Sequence, residues 1–222
     1  MTARLRTSAL SALLLLAAAA GNSPLARGAT DQPAAFNAAR TAFEAARAGS
    51  HVEVDHAHEL FSRLVDAEPG NPLYLAYFGS SYTLQARESR LPWTKIKLVN
   101  QGVELLDRSL ASLHGGASQA SQAGSTISLE TRLIAIATFI ALPDSMFHHM
   151  DAARRELQAA LTSPEFTHAS ADLQGHLLYE GALIAQADHD DRAERAALLK
   201  VQALAPPSVD AAVVRQRLAE LH

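Results

Sequence analysis

The chain contains no cysteine. That excludes disulfides, thiol chemistry and the amino-terminal lipid of a bacterial lipoprotein, which is carried on cysteine. Aromatic residues are scarce, 5% beside a hydrophobic content of 48%, so the core must rest on alanine and leucine, as in packed helices. Nucleophile elbows, phosphate-cradling glycine loops, zinc-protease histidine pairs and dinucleotide fingerprints are all missing. On these grounds we expect no enzyme and assign no catalytic residue, metal ligand or cofactor. The longest apolar run, Ala9 to Ala20, falls short of the roughly 20 residues that span a bilayer.

That run has Arg4 and Arg6 before it and small and polar residues after it, the layout of a secretory signal peptide. Residues 1–20 are therefore expected to direct export, with cleavage after Ala20 or as late as Ala29; an uncleaved anchor is the alternative. The expected location is periplasmic or secreted, with no stable membrane span after cleavage. Loss of Arg4 and Arg6 takes the formal charge from -4 to -6, which argues against nonspecific nucleic-acid binding. Residues 21–32, rich in Gly, Ser, Pro and Thr, read as a disordered leader, and 33–222 as one helical domain.

Within that domain, AHELFSRLVDAEPGNP places Ala57, Phe61 and Leu64 at helical intervals before Pro69 stops the helix. After the turn at Gly70, Asn71 and Pro72, PLYLAYFGSSYTLQAR sets Leu75, Phe78, Gly79 and Tyr82 along one stripe. Gly79 costs a helix roughly 1 kcal/mol against alanine, and a bare backbone there admits a close partner helix. Phe36, Ala39, Phe43 and Ala46 precede this unit, with Gly49 as a stop and Asp55 as a cap for the next helix. Leu133, Ile136, Ala137 and Ile140 repeat the opening pattern up to Pro143, with Asp144 or Ser145 capping the partner helix. Ala153, Leu157 and Ala160 repeat the closing pattern up to Pro164. A fourth unit runs from about Ala169 to Pro206, and Val209 to Leu221 closes the chain, with Val213, Val214 and Leu218 on its apolar face. A Gly, Ser and Gln-rich segment, 114–128, reads as a flexible loop dividing two halves.

The set Ala57, Phe61, Pro69 and the set Leu75, Phe78, Gly79, Tyr82 resemble the tetratricopeptide-repeat family, whose units are antiparallel helical hairpins of about 34 residues. The run ARESRLPWTKIKLVNQGVELLDRSL further resembles a group of secreted bacterial repeat proteins without an established activity. The resemblance implies an all-α solenoid of about four degenerate hairpins and a capping helix. It also implies that the first helix of each hairpin lines a concave groove. Carried onto this chain, that surface comprises Leu73, Ala76, Ser80 and Thr83, then Thr131, Ile134 and Thr138, then His176, Tyr179 and Leu183. The expected function is a scaffold or adaptor that holds a protein or peptide segment of the cell envelope. The small and apolar character of these positions suits an apolar peptide, a helix or a lipid-like ligand, so carriage of a small apolar ligand is the alternative.

Arg87 to Trp93 reads as a long connection that concentrates Arg87, Glu88, Lys95 and Lys97 around the single tryptophan. Such loops carry function, and an arginine there suits a carboxylate or phosphate; packing of Trp93 over the hairpin and pairing of Arg87 with Glu88 or a carbonyl is the structural alternative. The ten histidines include His51, His56 and His58 and the adjacent His148 and His149. His56 and His58 are two apart and point to different faces of a helix, so a metal site ranks last. Asp188, His189, Asp190 and Asp191 read as a turn in which Asp190 or Asp191 caps a helix.

Overall fold

The computed structural model describes residues 24–113, 121–122 and 125–221. The expected signal peptide, residues 21–23 of the expected leader and most of the 114–128 segment lie outside the described residues. Among those described, the chain is all-helical. The helices are α1 (Pro24–Arg47), α2 (Val52–Ala67), α3 (Pro72–Glu88), α4 (Pro92–Ser112), α5 (Ile127–Ala141), the single turn α6 (Asp144–Phe147), α7 (Met150–Leu161), α8 (Ala171–Ala187), α9 (Asp191–Leu204) and α10 (Ala211–Glu220). A two-residue antiparallel pairing joins Ser121–Gln122 to Ser125–Thr126.

The helices pack as neighbouring pairs, α1 on α2, α3 on α4, α5 on α7 and α8 on α9, with α10 against α9. The first helices of the pairs also touch in series, α1 with α3, α3 with α5 and α5 with α8. One core cluster runs through α1 to α5, α7 and α8, and its centre holds Phe36, Phe43, Phe61, Tyr74 and Tyr77. Phe61 and Tyr77 stack with their centroids 4.7 Å apart. Five of the twelve aromatics are thus gathered at one joint among α1, α2 and α3, where offset and edge contacts add to the area they bury. A second cluster, Leu178, Ala182, Leu198, Val201, Val214 and Leu221, holds the carboxy-terminal helices together.

Local chemistry explains several helix ends. Gly49 adopts φ 110° beyond α1, a left-handed conformation that glycine accepts without a Cβ penalty. Asn71 Oδ1 accepts from the backbone N–H of Leu73 at 3.1 Å, capping α3, and Pro72 and Pro92 occupy the first turns of α3 and α4. Ser170, Asp190 and Asp210 cap α8, α9 and α10 through Leu173, Ala193 and Ala212.

Several expected boundaries differ. α1 begins at Pro24 and carries Pro33 inside it, so residues 24–32 of the expected leader are helical; Pro33 instead marks where burial begins, with Phe36. α2 starts at Val52 rather than at an Asp55 cap. Asp55 sits in the first turn, where a carboxylate favours the helix, and accepts from Gln85 Nε2 at 2.9 Å. α5 starts inside the expected loop because Ile127 and Ser128 are buried. Asp144 lies in the separate turn α6 and caps α7 from there, accepting from Met150 N at 3.2 Å. On α10, Val214 is buried whereas Val213 is 47% exposed, so the apolar face is narrower than expected.

Candidate functional site

The first helices enclose a partly open groove with a volume of about 640 Å³. α1 contributes Arg40, Glu44 and Arg47; α3 contributes Tyr77; α5 contributes Glu130, Leu133, Ile134 and Ala137; α8 contributes Asp172, Leu173, His176 and Glu180. Ser170 and Ser208 complete the rim. The α1 residues and the trio Asp172, His176, Glu180 are spaced three or four apart, so each helix presents one stripe.

At the floor, the Tyr77 hydroxyl donates to Glu130 Oε1 at 2.8 Å, and Arg40 Nη1 lies 4.0 Å from the same oxygen. Burial first, then the adjacent Glu130 charge, pushes ionisation of Tyr77 well above its ordinary range, so the hydroxyl keeps its proton for Glu130. On the α1 wall, Arg47 Nε donates to Glu44 Oε2 at 3.1 Å.

On the α8 wall, the Ser208 hydroxyl donates to Asp172 Oδ1, and Ser208 N donates to the same oxygen at 3.1 Å. His176 Nε2 lies 2.5 Å from Ser208 Oγ. Since the hydroxyl hydrogen goes to Asp172, the serine oxygen accepts from His176. Burial lowers the His176 pKa, against the opposing pull of Asp172, so the ring is neutral at neutral pH. A serine that gives its proton to a carboxylate and takes one from imidazole is held in place rather than activated as a nucleophile.

Glu180 is only 6% exposed. Burial raises its carboxyl to about 7, with Arg47 opposing the rise.

Of the positions expected to line the groove, Ile134 and His176 do so. Tyr179 lines a smaller adjoining recess with Arg47, His176 and Glu180. Leu73, Ala76, Ser80, Thr131 and Thr138 are buried. Thr138 Oγ1 donates to Ile134 O at 2.7 Å and is hydrogen-bonded to Ser80 Oγ at 2.8 Å inside the α3–α5 contact. Thr83 Oγ1 donates to Ser80 O at 2.7 Å, and its methyl packs beside Gly102 of α4. Leu183 is half-buried on α8 and outside the groove lining. The physical reason is that α3 is covered by α2, α4 and α5 together, so nearly its whole circumference is core and Tyr77 alone reaches the groove.

The Arg87 to Trp93 segment is no long loop, because α3 continues to Glu88 and α4 begins at Pro92. The residue before a proline is held extended, and Leu91 obeys with φ -97° and ψ 118°. Arg87 Nη2 donates to Ala46 O at 2.7 Å, at the end of α1, and Arg87 Nε donates to Glu88 Oε1 at 3.1 Å. Trp93 does not pack over the hairpin; it is 68% exposed, beside exposed Leu91, Lys95, Ile96 and Lys97.

The histidines separate. His51 Nδ1 meets Glu88 Oε2 at 2.5 Å, His58 Nδ1 meets Ser81 Oγ at 2.9 Å, and His149 stacks on Phe139. Among the described residues, no three His, Asp or Glu side chains are grouped closely enough to share a metal ion. Asp188 pairs with Arg154 and Asp190 caps α9. No helix among the described residues is long and apolar enough to cross a membrane.

Sequence reasoning missed Arg40, Glu44, Arg47, Asp172 and Glu180. The four-residue spacing of Asp172, His176 and Glu180 was a readable signal, and it went unused because the apolar positions beside it competed for the same face. No protein-family model, curated protein or solved structure matches the chain.

Proposed function

We propose that the chain is a non-enzymatic scaffold of the cell envelope, a solenoid of about four degenerate tetratricopeptide-like hairpins with α10 as its cap. Its task in this reading is to hold a segment of another protein in the concave groove. One observation carries the reading: α1, α3, α5 and α8, the first helices of the four pairs, touch in series and together line a single groove. Export is supported by Arg4, Arg6 and the apolar run to Ala20. Turnover is not part of the proposal, since the Ser208, His176 and Asp172 hydrogen bonds spend the serine proton on a carboxylate.

Charged walls weigh against the alternative, carriage of a small apolar or lipid-like ligand, because burying Arg40, Glu44 and Asp172 under hydrocarbon leaves charge unsolvated. They equally shift the preferred partner away from the purely apolar peptide that the sequence suggested. The test is affinity crosslinking in the native envelope with wild type beside Ala137→Trp, which fills the groove from its α5 floor. A discrete protein segment recovered with wild type and lost with the variant is the expected result. Equal recovery from both proteins places binding elsewhere and overturns the groove reading.

A further inference from the structure

The groove offers its carboxylates unequal company. Glu130 receives the Tyr77 hydroxyl, Glu44 receives Arg47, and Asp172 receives Ser208 twice. Glu180 is more buried than nine-tenths, lines the groove, and accepts no hydrogen bond from any described residue. The Arg47 charge on the α1 wall opposes the effect of its burial, and that guanidinium is already turned to Glu44. Its carboxylate, deep in the fold and without a donor from the protein, opens on the groove solvent, and holding it ionised at that depth is costly. A Gln or Leu in its place would spare the α8 packing this cost.

Resting on the groove reading, we propose that Glu180 is a recognition site for one cationic side chain, the ammonium of a lysine in the bound segment. The surroundings suit that chemistry. His176, one turn before Glu180, is held neutral by burial and adds no competing charge. Leu133, Ile134 and Ala137 on α5 provide an apolar bed for the lysine methylenes. Among carboxylates and cations lining the groove, Glu44, Glu130, Asp172 and Glu180 face only Arg40 and Arg47, so a ligand cation enters a surplus of negative charge.

The site is also sensitive to pH. The charged and titratable groups that share the groove and its adjoining recess with Glu180 are Arg40, Glu44 and Arg47 from α1, Tyr77 from α3, Glu130 from α5, Asp172, His176 and Tyr179 from α8, and Asp210 at the start of α10. With the carboxyl raised to about 7, a proton and the lysine ammonium compete for the same oxygens. Binding strengthens as pH rises through that value.

The experiment is an NMR titration of the full folded protein with a capped Ala-Lys-Ala tripeptide and its Ala-norleucine-Ala counterpart. The expected result is a lysine preference of about tenfold at about pH 8 that falls to near parity at about pH 6, as the ionised fraction drops about tenfold. Glu180→Gln should abolish the preference while its melting curve shows a folded protein, and Arg47→Gln, which removes the cation that opposes the rise of the Glu180 carboxyl, should shift the onset of the preference to higher pH. Equal response to the two peptides, or none to either, overturns the cation site. The groove reading is judged separately by the Ala137→Trp comparison, so a groove that binds its segment without any dependence on Glu180 sinks this inference alone.

Discussion

Gly79 of α3 and Gly102 of α4 meet back to back where the two helices cross. A Cβ on Gly79 would lie 2.7 Å from the Gly102 carbonyl oxygen, and a Cβ on Gly102 would lie 2.5 Å from that of Gly79. Each glycine is required by the other's backbone. Alanine gains roughly 1 kcal/mol in helix propensity over glycine, yet here the methyl must push two backbones apart. Gly79→Ala and Gly102→Ala should each destabilise the protein by about 1 to 3 kcal/mol. Denaturant unfolding decides it; a stabilised variant contradicts the close crossing.

Glu180 makes stability depend on pH. Its carboxyl is raised from 4.5 to about 7 on folding, so the native state binds its proton more tightly than the unfolded chain. The associated stabilisation is complete below about pH 4 and is lost as pH rises through about 7, amounting to about 3 kcal/mol. Unfolding curves of wild type and Glu180→Gln should therefore diverge in favour of the variant between about pH 5 and pH 8. A difference that stays constant across that range contradicts a carboxyl raised by burial.

Tyr77 ties the aromatic joint to the groove floor, stacking on Phe61 and donating to Glu130. Tyr77→Phe keeps the stack and removes one donor from a buried carboxylate, at a cost of about 1 to 3 kcal/mol. Thermal unfolding should show the loss, and the near-ultraviolet spectrum of the folded variant should retain a packed aromatic core. An unchanged midpoint contradicts the importance of this link.

Arg87 and Trp93, expected to act together, divide by environment. Arg87 holds the end of α1 through Ala46 O, so Arg87→Ala should cost about 1 kcal/mol without loss of helicity. Trp93 is 68% exposed, and Trp93→Ala should change stability by no more than about 0.5 kcal/mol. Loss of partner recovery on Trp93→Ala, with stability intact, marks the start of α4 as a contact surface; a large loss of stability contradicts its exposed placement.

Helix ends were legible where one residue's own backbone chemistry decides them, as with Gly49, Asn71, Pro92 and Asp190. The all-helical class followed from alanine-rich and leucine-rich composition and from the stripes around Gly79 and Ile136. The groove was less legible. Leu73, Ala76 and Ser80 carry the small and apolar chemistry of either a groove or a core, and only the placement of α4 and α5 on either side of α3 decides for core. Glu180 drew no expectation, because its burial depends on packing against distant parts of the chain; Arg47, exposed on α1, reaches the groove from more than a hundred positions away. The Arg87 to Trp93 connection is shorter than expected because α3 continues to Glu88 on favourable helix formers.

The central claim, that the first helices form a groove for a polypeptide segment, is tested most directly by placing a photoreactive side chain at Ala137 in the groove and another at Gln202, exposed on α9. Crosslinking in the native envelope should yield one defined peptide from position 137, displaced by the same peptide made synthetically, and no such product from position 202. Absence of a peptide adduct at 137, or the same products from both positions, would contradict the account.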